Sequence, residues 1–344
     1  MKIIIVGAGL AGLSLYYYLK RYASDINIIE SSDTIASAAS GNSSGSVNPR
    51  FTAFRNEQSD FYTSAYMGAV KLFDANAGAI GWNKCGALHL ITDDKKQTRF
   101  EQTVNNWGWT EEYMRLVDRS EATEIAGVTI NHAALYLSLS GYLNPAKLCA
   151  FYANGANIAF NTPVKSLDDL DADVIILAGG QGMRDLLPWL PTGHVRGQIT
   201  KAQESGYSAD LKCNVHYGGY CTPSIDGEHI VGASFQRWLD HSDIIEQDDQ
   251  DNIDKLAEVL PNIAMNLEVS GHRASVRTTS QDHFPMIGRH PEFENVYIST
   301  GHGSHGIVSS YGGALLLTDM IMGHPKSQSI DTIKALDPKR FYTG

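Results

Sequence analysis

The sequence predicts an α/β chain, α+β overall. A Rossmann-like nucleotide-binding domain carries a second domain built on a mainly antiparallel β-sheet. Three observations predict this. The opening stretch runs from an apolar, β-branched segment, Lys2 to Val6, through Gly7-Ala8-Gly9-Leu10-Ala11-Gly12, into a helical run, Leu13 to Arg21, and a second strand, Asn27-Ile28-Ile29, ending on Glu30. Asp171 to Gly180 contains Val174-Ile175-Ile176-Leu177, a buried strand ending in small residues, of the kind that lies beside the first strand of a doubly wound sheet. From Val195 to about residue 270, short alternating runs such as Val215-His216-Tyr217 and His229 to Ala233 sit between glycine turns, as antiparallel strands do.

Each part of the opening stretch has a physical role. Gly7 permits the tight turn out of the strand. Gly9 has no Cβ, so a pyrophosphate can approach the backbone, and Gly12 lets the helix pack closely on the sheet. The phosphate then meets a helix N-terminus, whose free N–H groups and dipole favour an anion. Glu30 can accept both hydroxyls of a ribose. A lone glycine triplet is a weak signal, but here strand, loop, helix, second strand and acid stand together.

The rest of the chain follows in order. Residues 31 to 50 are small and polar, and their composition suits a flexible linker or a ligand loop equally well. Residues 56 to 76 read as a helix, Gly86 to Ile91 as a strand, Lys95 to Trp107 as a helix and Ala134 to Leu137 as a strand. Pro145 opens a helix to Asn154. Asn157 to Phe160 and Thr162 to Val164 are strand-like. The acidic run Gln247 to Asp251 reads as the solvated start of a helix, Ile253 to Leu260, favoured by the dipole. Arg273 to Gly288 is a strand with a polar continuation. Asn295 to Thr300, Gly301-His302-Gly303-Ser304-His305-Gly306 and a helix from Ile307 to Met322 repeat the strand, glycine loop and helix order. The expected division is a discontinuous nucleotide-binding domain of residues 1–50, 145–195 and 271–344, and a substrate domain of residues 51–144 and 196–270.

Composition sets bounds. With 344 residues and 43% hydrophobic content the chain can bury a sizeable core. The net charge is −11 and no Lys/Arg block occurs, so a generic DNA- or RNA-binding footprint is not visible. The four cysteines are far apart and form no C-x-x-C, which argues against a metal or disulfide framework. His302 and His305, three apart, have no carboxylate or thiolate beside them and make a poor metal site. The late apolar run around Leu315 is too short to span a bilayer, and a soluble, cytoplasmic protein is expected.

The chain resembles the glycine oxidase and D-amino-acid oxidase (DAO) group of FAD-dependent oxidoreductases, and within it the FAD domains of the MnmC branch of bifunctional tRNA modification proteins. The motifs that carry this are Ala39-Ser40-Gly41-Asn42-Ser43-Ser44-Gly45 with Pro49, Val195-Arg196-Gly197-Gln198, Arg277-Thr278-Thr279 with Asp282 and Pro285, and the glycine-histidine loop at 301–306. The resemblance implies non-covalent FAD. Gly7, Gly9, Leu10, Ala11 and Gly12 would hold the pyrophosphate and Glu30 the ribose, and Val164 would meet the adenine through its backbone. Ser40, Gly41, Asn42 and Gly179 would border the cofactor, with Gly303, Ser304, Gly306 and Ile307 along the isoalloxazine.

It also implies oxidation of carboxymethylaminomethyl-uridine at the tRNA wobble position, with glyoxylate released. A carboxylated substrate calls for a fixed guanidinium. By the motif this is Arg277, with Tyr220 as a second contact, against the competing readings of a structural ion pair and an interior aromatic. Arg196 reads as structural. No histidine is nominated for catalysis. The alternative is an oxidase or dehydrogenase of free glycine, sarcosine or a D-amino acid. The chain carries no counterpart of a methyltransferase half. An RNA substrate would need a local basic groove, for which Arg50, Arg55, Lys71 and Lys84 are candidates.

Overall fold

A six-stranded sheet and an eight-stranded sheet hold all but two of the strands in the computed structural model, which describes residues 1–343. The six-stranded sheet runs in the order Met286–Arg289, Val296–Thr300, Val174–Leu177, Lys2–Val6, Asp25–Ile29, Asn157–Ala159. All pairings in it are parallel except that of the edge strand Met286–Arg289. Side chains alternate across it, as the pleat requires. Ile3 and Ile5 join Leu13, Leu15 and Leu317 on one face, and Ile4 and Val6 join Leu177, Met183 and Leu187 on the other. Both faces are thus covered, which explains why these strands read as continuous apolar runs.

The opening helix spans Leu10–Leu19, so it starts inside the glycine loop rather than at Leu13. Gly9 occupies the N-cap in an extended conformation with no side-chain cap of its own, so the first-turn amides of Ala11 and Gly12 meet no capping side chain. A Cβ on Gly12 would fall on the Gly7 carbonyl oxygen, so this glycine is a packing requirement of helix on strand. The Gly306–Met322 helix lies beside the opening helix, and the Glu57–Ala75 helix packs on it in turn.

The eight-stranded sheet takes its strands from two stretches of chain, 87–137 and 192–280, and is antiparallel except where Asn214–His216 meets Ala87–Leu90. Its longest ladder joins Thr192–Gln203 to Glu268–Ser280, placing Arg277 opposite Val195 and Arg273 opposite Ile199. The boundaries expected at 195/196 and 270/271 cut across this ladder. Thr162 to Val164 forms no strand, in keeping with the amide that Pro163 lacks. Residues 31–50 are no free linker: Gly45–Val47 pairs with Gly141–Leu143, and the Ala36 amide donates to the Ala8 carbonyl at 3.0 Å.

The acidic run departs most from expectation. The helix spans Glu246–Val259 and contains the run, and Asp248 and Asp249 are buried. Asp248 pairs with the guanidinium of Arg196, which is fully buried and also donates to Gln198 Oε1 at 2.8 Å. Asp249 accepts from the Thr200 hydroxyl at 2.7 Å. A run of acids on a helix presents some of its members inward, and here a strand supplies the partners. Removing one member of a buried pair leaves an uncompensated charge. Asp248→Ala should therefore lower stability by about 3–5 kcal/mol, read as a shifted urea midpoint, whereas Asp251→Ala on the same helix should leave the midpoint unchanged.

Candidate cofactor and substrate site

One cavity of about 680 Å³ runs from the glycine loop of the first strand to the eight-stranded sheet. Gly7, Gly9, Leu10 and Ala11 form its near end, with Glu30 to Ser32 and Ala36 to Ser40 beside them. Ala178 to Gly182 and Thr300 to Ile307 close it from the other strand ends of the six-stranded sheet. Its far end is made by the eight-stranded sheet and its loops, including His216, Tyr220, Phe235 and Arg277. The two glycine loops therefore converge on one space from different parts of the chain.

The near end is already organised. The Glu30 carboxylate, almost fully buried, accepts from the Ala8 amide at 2.7 Å and the Ser32 amide at 2.9 Å. Those bonds fix its direction and leave lone pairs for ribose hydroxyls. Ser40 Oγ accepts from the Leu10 amide at 3.0 Å, and a Cβ on Gly9 would touch that same oxygen. Arg273, on the long ladder, donates to Asn42 Oδ1 at 2.8 Å and to the carbonyl of Ser37. It thereby pins the serine loop across the cavity.

The far end carries the charge. Arg277 is partly buried, and no carboxylate lies within ion-pairing reach of it among the described residues. Burial draws its guanidinium below the ordinary arginine value, against the pull of Tyr220. The guanidinium lies over Gly197 of the neighbouring strand, where any Cβ would collide with it. Burial pushes the Tyr220 hydroxyl up to about 12.

Histidines complete this wall. His89 and His216 stack at 4.5 Å, and His216 Nε2 accepts from Asn48 Nδ2 at 2.9 Å. Ser46 Oγ, which receives the amides of Asn48 and Asn214, lies 3.1 Å from the same nitrogen. Burial lowers both His216 and His305 to about 4, so they are neutral at neutral pH. His302 is likewise lowered to about 4, and bridges Ser299 Oγ and Ser309 Oγ at 3.1 and 2.9 Å. No group of three His, Cys, Asp or Glu side chains suited to a metal occurs among the described residues.

Of the residues expected at the site, Gly12, Gly41 and Val164 stand outside the cavity wall. Gly12 packs on Gly7, and Gly41 makes room for Arg273. Val164 turns into the apolar cluster containing Ile4 and Leu177. The other expected residues line the wall. Sequence reasoning passed over His89, His216, Gln181 and Thr300, all in the wall. Alternating strands give no sign of which histidine faces a ligand. Of the four candidates for a basic groove, two are ion-paired within the chain: Arg55 with Asp60 at 2.9 Å and Lys84 with Asp74 at 2.6 Å.

The residues present fit a dinucleotide cofactor. First-turn amides beyond that of Leu10, a ribose-type carboxylate and a glycine floor meet at one end. Buried polar atoms without partners, Gln181 Nε2 and Thr300 Oγ1, belong to wall residues further along. Such a site, opening onto an antiparallel sheet with a fixed cation, defines a nucleotide-cofactor oxidoreductase. The chain belongs to the DAO family of FAD-dependent oxidoreductases, whose sequence profile matches residues 2–320.

It is 28% identical to the tRNA 5-methylaminomethyl-2-thiouridine biosynthesis bifunctional protein MnmC of Hahella chejuensis, over 98% of this chain and 59% of that protein. The MnmC of Methylobacillus flagellatus is 27% identical over 99% and 59%. The chain thus spans about three-fifths of the length of these relatives. Among solved structures, glycine oxidase from Geobacillus kaustophilus superimposes with a TM-score of 0.88 at 18% identity, covering 100% of this chain and 99% of that one. Iminodiacetate oxidase from Chelativorans sp. gives 0.84 at 19% identity, covering 98% and 99%. The FAD-dependent oxidoreductase class and the Rossmann-like fold expected from the sequence are thereby established, with FAD as cofactor.

Two outcomes follow from this geometry. Gly197→Ala should displace the Arg277 guanidinium, raising KM for a carboxylated substrate while the flavin absorbance of the purified protein is unchanged. Because His216, His302 and His305 titrate near 4 when folded and at 6.5 when not, the folded state binds fewer protons between those values. Stability present above pH 6.5 should fall as pH drops towards 4, and His302→Asn should flatten that slope in urea titrations.

Proposed function

We propose that the protein oxidises the glycine-like C–N bond of a carboxymethylamino group, a CH–NH donor, and that the group is borne on a tRNA wobble uridine. Carboxymethylaminomethyl-uridine would become aminomethyl-uridine with release of glyoxylate. The observation that carries this reading is Arg277, a partly buried cation on the cavity wall with no carboxylate in ion-pairing reach among the described residues. A guanidinium fork pairs bidentately with a carboxylate. Tyr220, on the same wall, would touch the carboxylate or the amine.

FAD, when bound, supplies the two-electron acceptor for the hydride leaving the methylene carbon. The chain's own residues select and position. Arg277 holds the carboxylate so that the methylene presents its hydrogen towards the glycine-histidine loop. The uncharged His216 and His305 leave the guanidinium as the charge that selects this end of the substrate. Loss of hydride from carbon and a proton from nitrogen yields an imine. Water adds across the C=N bond, and the carbon departs as glyoxylate with nitrogen left as the amine. In this reading the six-stranded sheet carries the cofactor and the eight-stranded sheet the substrate, and the enzyme works in the cytoplasm. The MnmC names of the sequence relatives support the RNA-borne substrate.

A second reading is oxidation of a free amino acid such as glycine, sarcosine or a D-amino acid. The pairing of Arg55 and Lys84 with acids, in a chain of net charge −11, favours it. Anaerobic mixing of the yellow protein with tRNA bearing the modified base, and separately with glycine and sarcosine, separates the two. Bleaching by the RNA alone is expected; bleaching by the free amino acids alone overturns the RNA-borne substrate. Arg277→Ala should lower kcat/KM by about two to three orders of magnitude with flavin still bound. Arg277→Lys should recover only part, since a point charge replaces a fork.

A further inference from the structure

A second cavity, of about 390 Å³, lies outside the cofactor site and takes no part in the reaction above. We propose that it binds a single unstacked nucleobase of the RNA that carries the substrate uridine. The inference rests on the RNA-borne reading and adds the residues that would recognise the strand.

The lining has the composition of a base pocket. Trp109 and Tyr113 provide aromatic faces, on which any base can stack, and the buried Trp107 backs them. Trp107 is held rigidly: its indole N–H donates to the Thr52 carbonyl at 2.8 Å, and Phe51 packs edge-on against both it and Trp109. Arg55 lies over the Trp107 ring at 5.1 Å while its charge is taken by Asp60. The pocket is therefore no phosphate site. It suits a neutral, planar heterocycle.

A polar edge is also present. Thr63 is only 8% exposed, lines the pocket, and its hydroxyl has no hydrogen-bond partner. A buried hydroxyl left unpaired costs free energy that a ligand atom can restore. Ser64 and Asp60 stand in the same lining and can meet the donors and acceptors of a base edge.

Position supports the assignment. Asn48 and Pro49 belong to the wall of the cofactor cavity and Arg55 to this one. The segment between Pro49 and Arg55 can span at most about 20 Å. On the Glu57–Ala75 helix, Tyr62 packs on His305 of the cofactor cavity at 5.2 Å, while its neighbour Thr63 lines the second pocket. A strand delivering one base to the flavin can thus place a nearby base here.

The test uses the flavin-loaded protein with a fluorescently labelled anticodon stem-loop and, in parallel, turnover of modified tRNA and of the free carboxymethylaminomethyl-uridine nucleoside. Trp109→Ala should weaken RNA binding by about ten-fold, as loss of one stacked base does, and raise KM for tRNA alike. Kinetics with the nucleoside should be unaltered. Tyr113→Ala, at a side chain 37% exposed, and Thr63→Val, of equal volume, guard against a folding defect and should act in the same direction. Wild-type RNA affinity in all three variants, or no RNA binding by the parent protein, overturns the proposal. Stem-loop binding that depends on Trp109 without bleaching by tRNA would uphold the base pocket and reject the proposed substrate.

Discussion

The ladder between Thr192–Gln203 and Glu268–Ser280 is the constraint on which the site depends. One of its strands carries both Arg273, which pins the Ser37 to Asn42 loop over the cofactor end, and Arg277, which faces the far end. Side chains four apart on a strand share a face, so one extended segment serves both halves of a cavity that no single loop could span. The partner strand contributes Gly197, whose missing side chain lets the Arg277 guanidinium lie flat. It also contributes Arg196, which turns to the other face and anchors to Asp248. Consecutive residues Arg196 and Gly197 thus do opposite work, one binding the helix behind the sheet and the other clearing space in front.

This arrangement explains how a weakly specific fingerprint becomes a specific site. Bare amides at a helix start attract any anion. What restricts the choice is the set of groups fixed around them: Glu30 held by two backbone amides, Ser40 bonded to Leu10, and the second glycine loop arriving on the strand two places away in the same sheet. The sheet order brings the end of Val296–Thr300 within reach of the end of Lys2–Val6, with only Val174–Leu177 between them.

Legibility in the sequence followed the range of the interactions. Strands buried on both faces, such as Lys2–Val6 and Val174–Leu177, announce themselves through composition, and Pro145–Tyr152, with its proline at the first turn, lay within two residues of its expected ends, whereas the short capped helix Arg119–Ala126 was not read. Long-range partners were not legible. Nothing in Gln247 to Asp251 reveals that Asp248 meets an arginine far away in the chain. Nor does the small, polar composition of residues 31–50 disclose a loop pinned by Arg273. Arg277 was singled out by its motif, but the lack of a carboxylate in ion-pairing reach of it among the described residues is a property of the fold. His89 and His216 were hidden because a histidine on an alternating strand looks alike whether it faces solvent, core or ligand.

The charge balance then acquires a physical reading. An acidic chain cannot rely on counterion release to hold a polyanion, since that contribution scales with the phosphates neutralised by Lys and Arg. Arg55, which lines the second pocket, is already spent on Asp60, and Arg50, next in the chain to the wall residue Pro49, donates to the His283 carbonyl above the Tyr62 ring. Stacking has no such requirement. Aromatic faces act on uncharged bases and are indifferent to net charge. A rigid tryptophan pair beside a neutralised arginine is therefore the kind of recognition open to a protein with this surface, provided that the proposed RNA substrate arrives as unpaired bases. An anticodon loop offers its bases in that form, and a duplex does not.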